Sequence, residues 1–525
     1  MSENPELPVF ETHRPWEDQP TFNEILAEWI QKAPYLLASL VVHAILGALI
    51  SGYIFLTAKE VTEAPVIEMQ AEAPIEEIEE EEPEPEEEII EEPIEEPVLQ
   101  EAELEEAVEE ETLEETGDPD FMSDAPFDSE AWNNDVGLGG GAGGKYGRRG
   151  GRGGGRRGKG SPTEKAVQDA LKWLADHQTP DEGFWDCDDF WLYDPLPDQP
   201  QCDGEGNAVN DVGVTGLALL AFLGNGNTMS SGPYQEHVRK GINWLRDVQL
   251  DNGLFGDEVG NPTLYNHSIA TMAMGEAFYF ANSLLLRRNM QKAVEVIVRA
   301  RNPYGAWRYK LEPDGSSDSS ITGWMVFALK TAEDGGIPVS KDNYEGAEQW
   351  FAQMTDPATG RTGYAFGDGG GPGSRPSRRL GYADRYPPEK SEALTAVALL
   401  SRIFMTDTSK IRSWKDHPQY EELKKQADLC VKTLPEWDAE GGACDMYYWY
   451  YGTFALYQWG DPHWSKWKKA IEAALLPSQR QDGNFKGSWD PVGPWGEDGG
   501  RVYSTAICAI ILEVYYRYNR LLGAR

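Results

Sequence analysis

From residue 161 onward, apolar residues recur at i, i+3 and i+4, and they do so in two alternating kinds of segment. The first kind is amphipathic and stops at Gly, with Asp or Asn supplying a turn. It is clearest in KGINWLRDVQLDNGLF at 240–255. ALKWLADHQTPDEGFW at 170–185 matches it, AIEAALLPSQRQDGNF at 470–485 matches more loosely, and 293–307 and 347–364 are worn copies. The second kind has small residues and few charges, and begins near Asp211, Tyr265, Asp318, Ser391, Asp445 and Tyr503. A helix apolar nearly all round is buried. The first helices begin near residues 163, 234, 290, 344, 420 and 464. The pattern therefore predicts an all-α domain over 161–525: six helical hairpins in two concentric rings, an (α/α)6 toroid.

Residues 33–58 form a different pattern, 26 positions without a formal charge, bracketed by Lys32 and Lys59. Roughly 20 apolar residues cross a bilayer, so this is the predicted single transmembrane helix. A signal peptide is the alternative, but its apolar region is shorter and nearer the start. Ser39, His43, Gly47 and Ser51 recur at i+4 and share one face. An ionisable group such as His43 within a span faces protein and marks function by default. Small residues on that face let a partner helix approach.

Charge divides the rest of the chain. The net charge is −43, yet residues 60–118 hold 28 acids and no Lys or Arg, and residues 161–525 carry a net of −13. Residues 59–136 are thus a Glu/Pro-rich tether, too polar and too self-repelling to repay the entropy of folding. Residues 137–160 are a Gly/Arg-rich linker, with seven Lys or Arg at 145–160. The roughly 100 residues of tether and linker reach at most about 300 Å. An acidic surface excludes nucleic acid as a partner of the toroid. The Arg-Gly run is an RNA-binding pattern inside a cell and a flexible linker outside it. Five Cys are too few for a disulfide scaffold. Cys187 and Cys202 either pair across a Pro-rich segment or stay as free buried thiols. Cys430, Cys444 and Cys508 have no metal-ligand spacing.

The S-x-x-x-H stripe, followed by IEEEEPEPEEEIIEEPIEEP, resembles the TonB energy-transducer family over residues 30–100. That resemblance implies a membrane partner that is a proton-channel motor complex, contacted through Ser39 and His43. It also implies residues 1–32 in the cytoplasm and the toroid in the periplasm, on the inner membrane. The family's Lys/Pro run and its C-terminal receptor-docking domain are missing here.

The K-G-x-x-W-L-x-x-x-Q-x-x-x-G-x-F repeat at 240–255 resembles the QW repeat of squalene cyclases and protein prenyltransferases, over residues 161–525. The resemblance implies the α/α toroid and sets out which chemistry to look for. Class II cyclases use D-x-D-D-T-A at an inner helix, where neighbouring carboxylates and the helix dipole tune an acid. Here D-C-D-D stands at Asp186–Asp189, before a Pro-rich insertion. The inner helices keep only DVGVTG at Asp211 and DSSITG at Asp318. Asp186, Asp188 and Asp189 therefore read as a solvated loop or a weak Ca²⁺ site. Prenyltransferases need zinc on D-x-C-Y-x-x-W, and here Cys444 and Asp445 stand in the wrong order. No cofactor and no metal are expected. The candidate catalytic residues are Asp211, Asp318, Glu392 and Asp445, each also explicable as a helix cap, and His267, also explicable as a core histidine. The sequence leans towards an extracytoplasmic toroid that binds an unidentified cavity ligand or partner, with an isoprenoid- or lipid-modifying enzyme as the alternative.

Overall fold

Ser161 opens the first helix, where its hydroxyl accepts the N–H of Glu164 and Pro162 fills the first position. The structure is a computed structural model. It describes residues 161–281, 283–303, 305–366, 381–387, 390–438, 440, 442–517 and 520–522. The expected span with Ser39, His43, Gly47 and Ser51, the tether and the Gly/Arg linker lie outside the described residues. Among the described residues no helix is long and apolar enough to cross a membrane.

The amphipathic, outer helices are α1 (Pro162–Asp176), α3 (Gln235–Asp247), α5 (Leu284–Arg299), α7 (Lys341–Met354), α9 (Tyr420–Cys430) and α11 (His463–Leu475). The inner helices are α2 (Asp211–Gly224), α4 (Pro262–Ala281), α6 (Ser319–Asp334), α8 (Ala393–Met405), α10 (Met446–Trp459) and α12 (Gly496–Arg517). Among the described residues there are no strands, only two isolated bridges. Each inner helix packs on the next, and α12 packs back on α2, so the ring closes. Inner helices are apolar because both flanks are covered: α10 is buried from Met446 to Gln458.

The repeat's glutamine stitches neighbouring outer helices together. Gln178 Nε2 donates to Gly183 O at 2.6 Å and to His237 O of α3 at 3.0 Å. Gln249 does the same to Gly253 O and to Asn289 O of α5, both at 3.0 Å. Gln479 reaches Gly487 O at 2.9 Å and Ala166 O of α1 at 2.8 Å, which closes the outer ring. Each such bond contributes about 1 kcal/mol net.

Four boundaries differ from the periodicity, among them the start of α7 at Lys341 rather than near 344. Helix α4 begins three residues before Tyr265. Helix α5 begins at Leu284, because Leu284 and Leu285 are exposed and hide the amphipathic pattern. Helix α12 begins at Gly496 and breaks at Gly500, where φ is +63°.

Candidate functional site

The inner helices all start at one mouth, and contacts run round it. Asn266 Nδ2 of α4 donates to Val209 O before α2 at 2.6 Å. The Tyr265 and Ser320 hydroxyls meet at 2.9 Å, joining α4 to α6. Ser391 Oγ, before α8, donates to Asp445 Oδ2, before α10, at 2.8 Å. Trp495, before α12, lies edge-on to Tyr447 at 6.2 Å, and Asn210 Nδ2 donates to Asp498 O at 2.7 Å. Tyrosines dominate the rim. Tyr265 and Tyr309 are 6.1 Å apart, Tyr309 bonds to the Tyr364 hydroxyl, and Tyr447 lies 3.2 Å from Ser320 Oγ.

Below the rim, aromatics of α6, α8 and α10 pack against one another inside the ring. Helices α6 and α10 are separated by α8 in the ring, yet Trp324 of α6 stacks on Tyr450 of α10 at 5.5 Å and 19°. Phe327 packs edge-on to Phe404 of α8 at 5.0 Å and to Phe454 of α10 at 5.7 Å. Trp324, Phe327, Tyr450, Tyr451 and Phe454 are all buried.

Three of the candidate acids are held in bonds. Asp318 Oδ1 accepts Ile321 N–H at 2.9 Å as the cap of α6, and its Oδ2 faces the Tyr364 hydroxyl at 3.4 Å. Asp445 Oδ1 accepts Tyr448 N–H at 3.1 Å as the cap of α10. Glu392 is ion-paired with Arg361, whose Nε lies 3.1 Å away, and takes the Thr395 hydroxyl at 2.9 Å. Cys444 Sγ accepts Asp438 N–H at 3.2 Å, away from the helix that Asp445 caps.

His267 is fully buried between two backbone groups. Phe255 N–H donates to its Nδ1 at 3.2 Å, so Nε2 carries the hydrogen and donates to Ala293 O at 3.0 Å. Burial lowers its pKa to about 4. Thr hydroxyls do the same work elsewhere: Thr215 for Trp185 N, Thr322 for Trp307 N, Thr395 for Thr362 N and Thr505 for Trp489 N.

Asp211 differs from the other acids. It accepts Cys187 N–H at 2.9 Å, and burial, reinforced by Asp186, Asp188 and Asp189, raises its pKa to about 7. Asp186, Asp188 and Asp211 each place a carboxylate oxygen within 4.8 Å of the others. The expectation from sequence is a solvated loop or a weak Ca²⁺ site on Asp186, Asp188 and Asp189; the structure groups Asp211 with Asp186 and Asp188 and leaves Asp189 outside that group. After Phe184 the chain turns over the start of α2, tied by Trp185 N to Thr215 Oγ1 at 3.0 Å, and so delivers the aspartates to Asp211. Asp186 Oδ1 accepts the N–H groups of Asp188 at 3.1 Å and of the exposed Asp189 at 2.7 Å. Burial, then Asp186, raises Asp188. A carboxyl near 7 can take or give a proton at neutral pH.

All five cysteines are free and buried. Cys187 and Cys202 do not pair: Cys187 Sγ donates to Asp498 O at 3.5 Å, whereas Cys202 sits beside Asp194. Sequence alone missed the rim tyrosines Tyr309 and Tyr364, and it missed His177 and Asp194. Both sets meet only through the turn after an outer helix, and no short spacing signals that.

No protein-family model matches this sequence, and no curated protein does. Solved structures similar to it include an inactive variant of an α-1,6-mannanase from Salegentibacter, at 11% identity and TM-score 0.46, covering 67% of this chain and 99% of that one. Another is a D-mannose isomerase, at 14% identity and TM-score 0.46, with 68% and 97% covered. A third is a type II terpene cyclase from Scytonema, at 13% identity and TM-score 0.40, with 68% and 98% covered. The activities in these names belong to those proteins.

Proposed function

We propose that this chain is a membrane-tethered, extracytoplasmic toroid that binds a ligand or protein partner at the tyrosine-rimmed mouth of its inner ring. One observation carries the reading: inside the ring, Trp324 of α6 stacks on Tyr450 of α10, past α8. A turnover site for an apolar substrate wants a deep cavity that encloses it. Here aromatic side chains pack against one another inside the ring, and three of the candidate acids are tied in caps or an ion pair. What is left for recognition is the rim, where phenol hydroxyls and rings offer adaptable contacts. The test is recovery of bound material from the source membranes on the full chain, followed by mass spectrometry. A species held by the wild type and released by Tyr309→Ala and Tyr364→Ala supports the reading. The same species bound equally by both variants sinks it. Coupling of the anchor to a proton-channel motor through Ser39 and His43 belongs to this proposal as its membrane half.

One observation favours the alternative, an enzyme on isoprenoid or lipid substrates. Asp211 stands beside Asp186 and Asp188 with its carboxyl held near neutrality. Product formation that Asp211→Asn abolishes would establish it.

A further inference from the structure

The Pro-rich insertion between α1 and α2 contains a second cluster, away from the rim tyrosines. His177 follows α1 as its cap and is fully buried, with its ring stacked on Trp173 at 4.1 Å. Its Nδ1 lies 2.7 Å from Trp173 O. A carbonyl oxygen only accepts, so Nδ1 carries the ring hydrogen. Nε2 then faces Asp194 Oδ1 at 2.9 Å. An ionised carboxylate also only accepts, so two acceptors oppose each other unless a cation stands with them: a second ring proton or a metal ion. Cys202 supplies a third donor. Its Sγ, the His177 nitrogen and the Asp194 oxygen all lie within 4.8 Å of one another.

We propose that His177 Nε2, Asp194 Oδ1 and Cys202 Sγ form a zinc site that clips the insertion to the end of α1. The donors are oriented from behind, as metal ligands are. The Trp173 carbonyl fixes the His177 tautomer, and Cys202 N–H donates to Asp194 Oδ2 at 2.8 Å, which leaves Oδ1 for the ion. A mixed N, O and S set suits Zn²⁺ and disfavours Ca²⁺ and Mg²⁺, which take oxygen. A thiolate and a carboxylate balance the two charges of the ion, as a buried site requires. Tetrahedral zinc at about 2.0–2.3 Å from each ligand separates N from O by about 3.3 Å, a few tenths beyond their present spacing. The fourth position falls to water, on the flank where the Asp194 side chain is 11% exposed. Binding releases the Cys202 thiol proton to solvent as the zinc–sulfur bond forms.

The clip has a structural task. The insertion has two short helical turns, at Phe190–Tyr193 and Ala208–Asn210, and exposes Leu192 and Leu196. Its other side-chain ties include the Asn484 amide, bonded to Leu196 N, Leu196 O and Pro200 O at 2.9–3.1 Å. A metal bond from Asp194 and Cys202 to His177 holds the segment that carries Asp186 and Asp188 over the mouth.

The full chain, purified in detergent and dialysed free of loose metal, is assayed by plasma mass spectrometry. About one zinc per chain is expected, lost in Cys202→Ser and kept in Cys187→Ala, whose thiol lies in the same insertion. Cobalt(II) exchanged into the wild type should give a thiolate-to-cobalt charge-transfer band, absent from Cys202→Ser. Zinc at far below stoichiometry in folded wild type, or zinc retained in Cys202→Ser, overturns the proposal. If Cys202→Ser fails to fold, the cobalt spectrum of the wild type decides, and no thiolate band rejects the site. These readouts are independent of ligand binding at the rim, so the two proposals fail separately.

Discussion

Asp211 and His267 make opposite contributions to stability as pH changes. Asp211 is raised from 3.8 to about 7, so between those values the folded chain holds more protons than the unfolded one. Stability from this group therefore falls as pH rises through that window. Asp211→Asn should stabilise the protein at pH 8 by on the order of 2 kcal/mol, discounted for partial solvation, and change little at pH 4. Urea unfolding at the two pH values measures this. His267 is lowered from 6.5 to about 4, so its contribution is present above 6.5 and is lost as pH falls towards 4. The loss is on the order of 3 kcal/mol. His267→Leu should remove that pH dependence and cost about 2–4 kcal/mol at pH 7, because Phe255 N–H and Ala293 O are left unbonded. His267 looked catalytic in the sequence because it is a lone histidine opening an inner helix. Its place in the repeat, where Thr215, Thr322, Thr395 and Thr505 stand, was legible only by aligning the inner helices. The partners of Asp211 were illegible, since the segment between Phe184 and Asp211 had to fold back to bring them.

At the scale of helices, the six hairpins were readable because the inner helices have small residues and few charges and each outer one has a single apolar face. The seam between outer helices was partly readable, as the Gln and Gly of the repeat. Gly305 shows what the glycine does: its φ is +78°, and a Cβ there would sit 2.2 Å from Gly346 Cα of α7. Gly183, Gly253, Gly360 and Gly487 likewise approach α3, α5, α9 and α1. Gly305→Ala should cost several kcal/mol, about 3 or more, since backbone must move. Gly260→Ala, with φ +83° but open space, should cost only about 1–2 kcal/mol. Thermal melts of the two variants check the contrast. Between α9 and α11 no repeat copy was visible in the sequence. There a groove of about 450 Å³ lies between Pro435–Trp437 and Ala470, Ala473 and Ala474.

For the molecule as a whole, the proposed function joins the helical ring to an anchor that is an expectation from the sequence alone. The anchor's polar stripe makes its own prediction. His43→Leu leaves the span more apolar, so the chain should stay in the membrane fraction. It should also lose co-purification with a proton-channel partner; a partner retained by the variant contradicts the motor contact. The central claim is that the toroid binds without turnover, and one incubation tests it most directly. The full chain in detergent is mixed with squalene and with an isoprenoid lipid extract of the source membranes, and the lipids are recovered for mass spectrometry. The account predicts every lipid returned unchanged, because Trp324 and Tyr450 stack inside the ring and three of the candidate acids are held in caps or an ion pair. A cyclised or otherwise modified product that disappears with Asp211→Asn would contradict it and make Asp211 the acid of an enzyme.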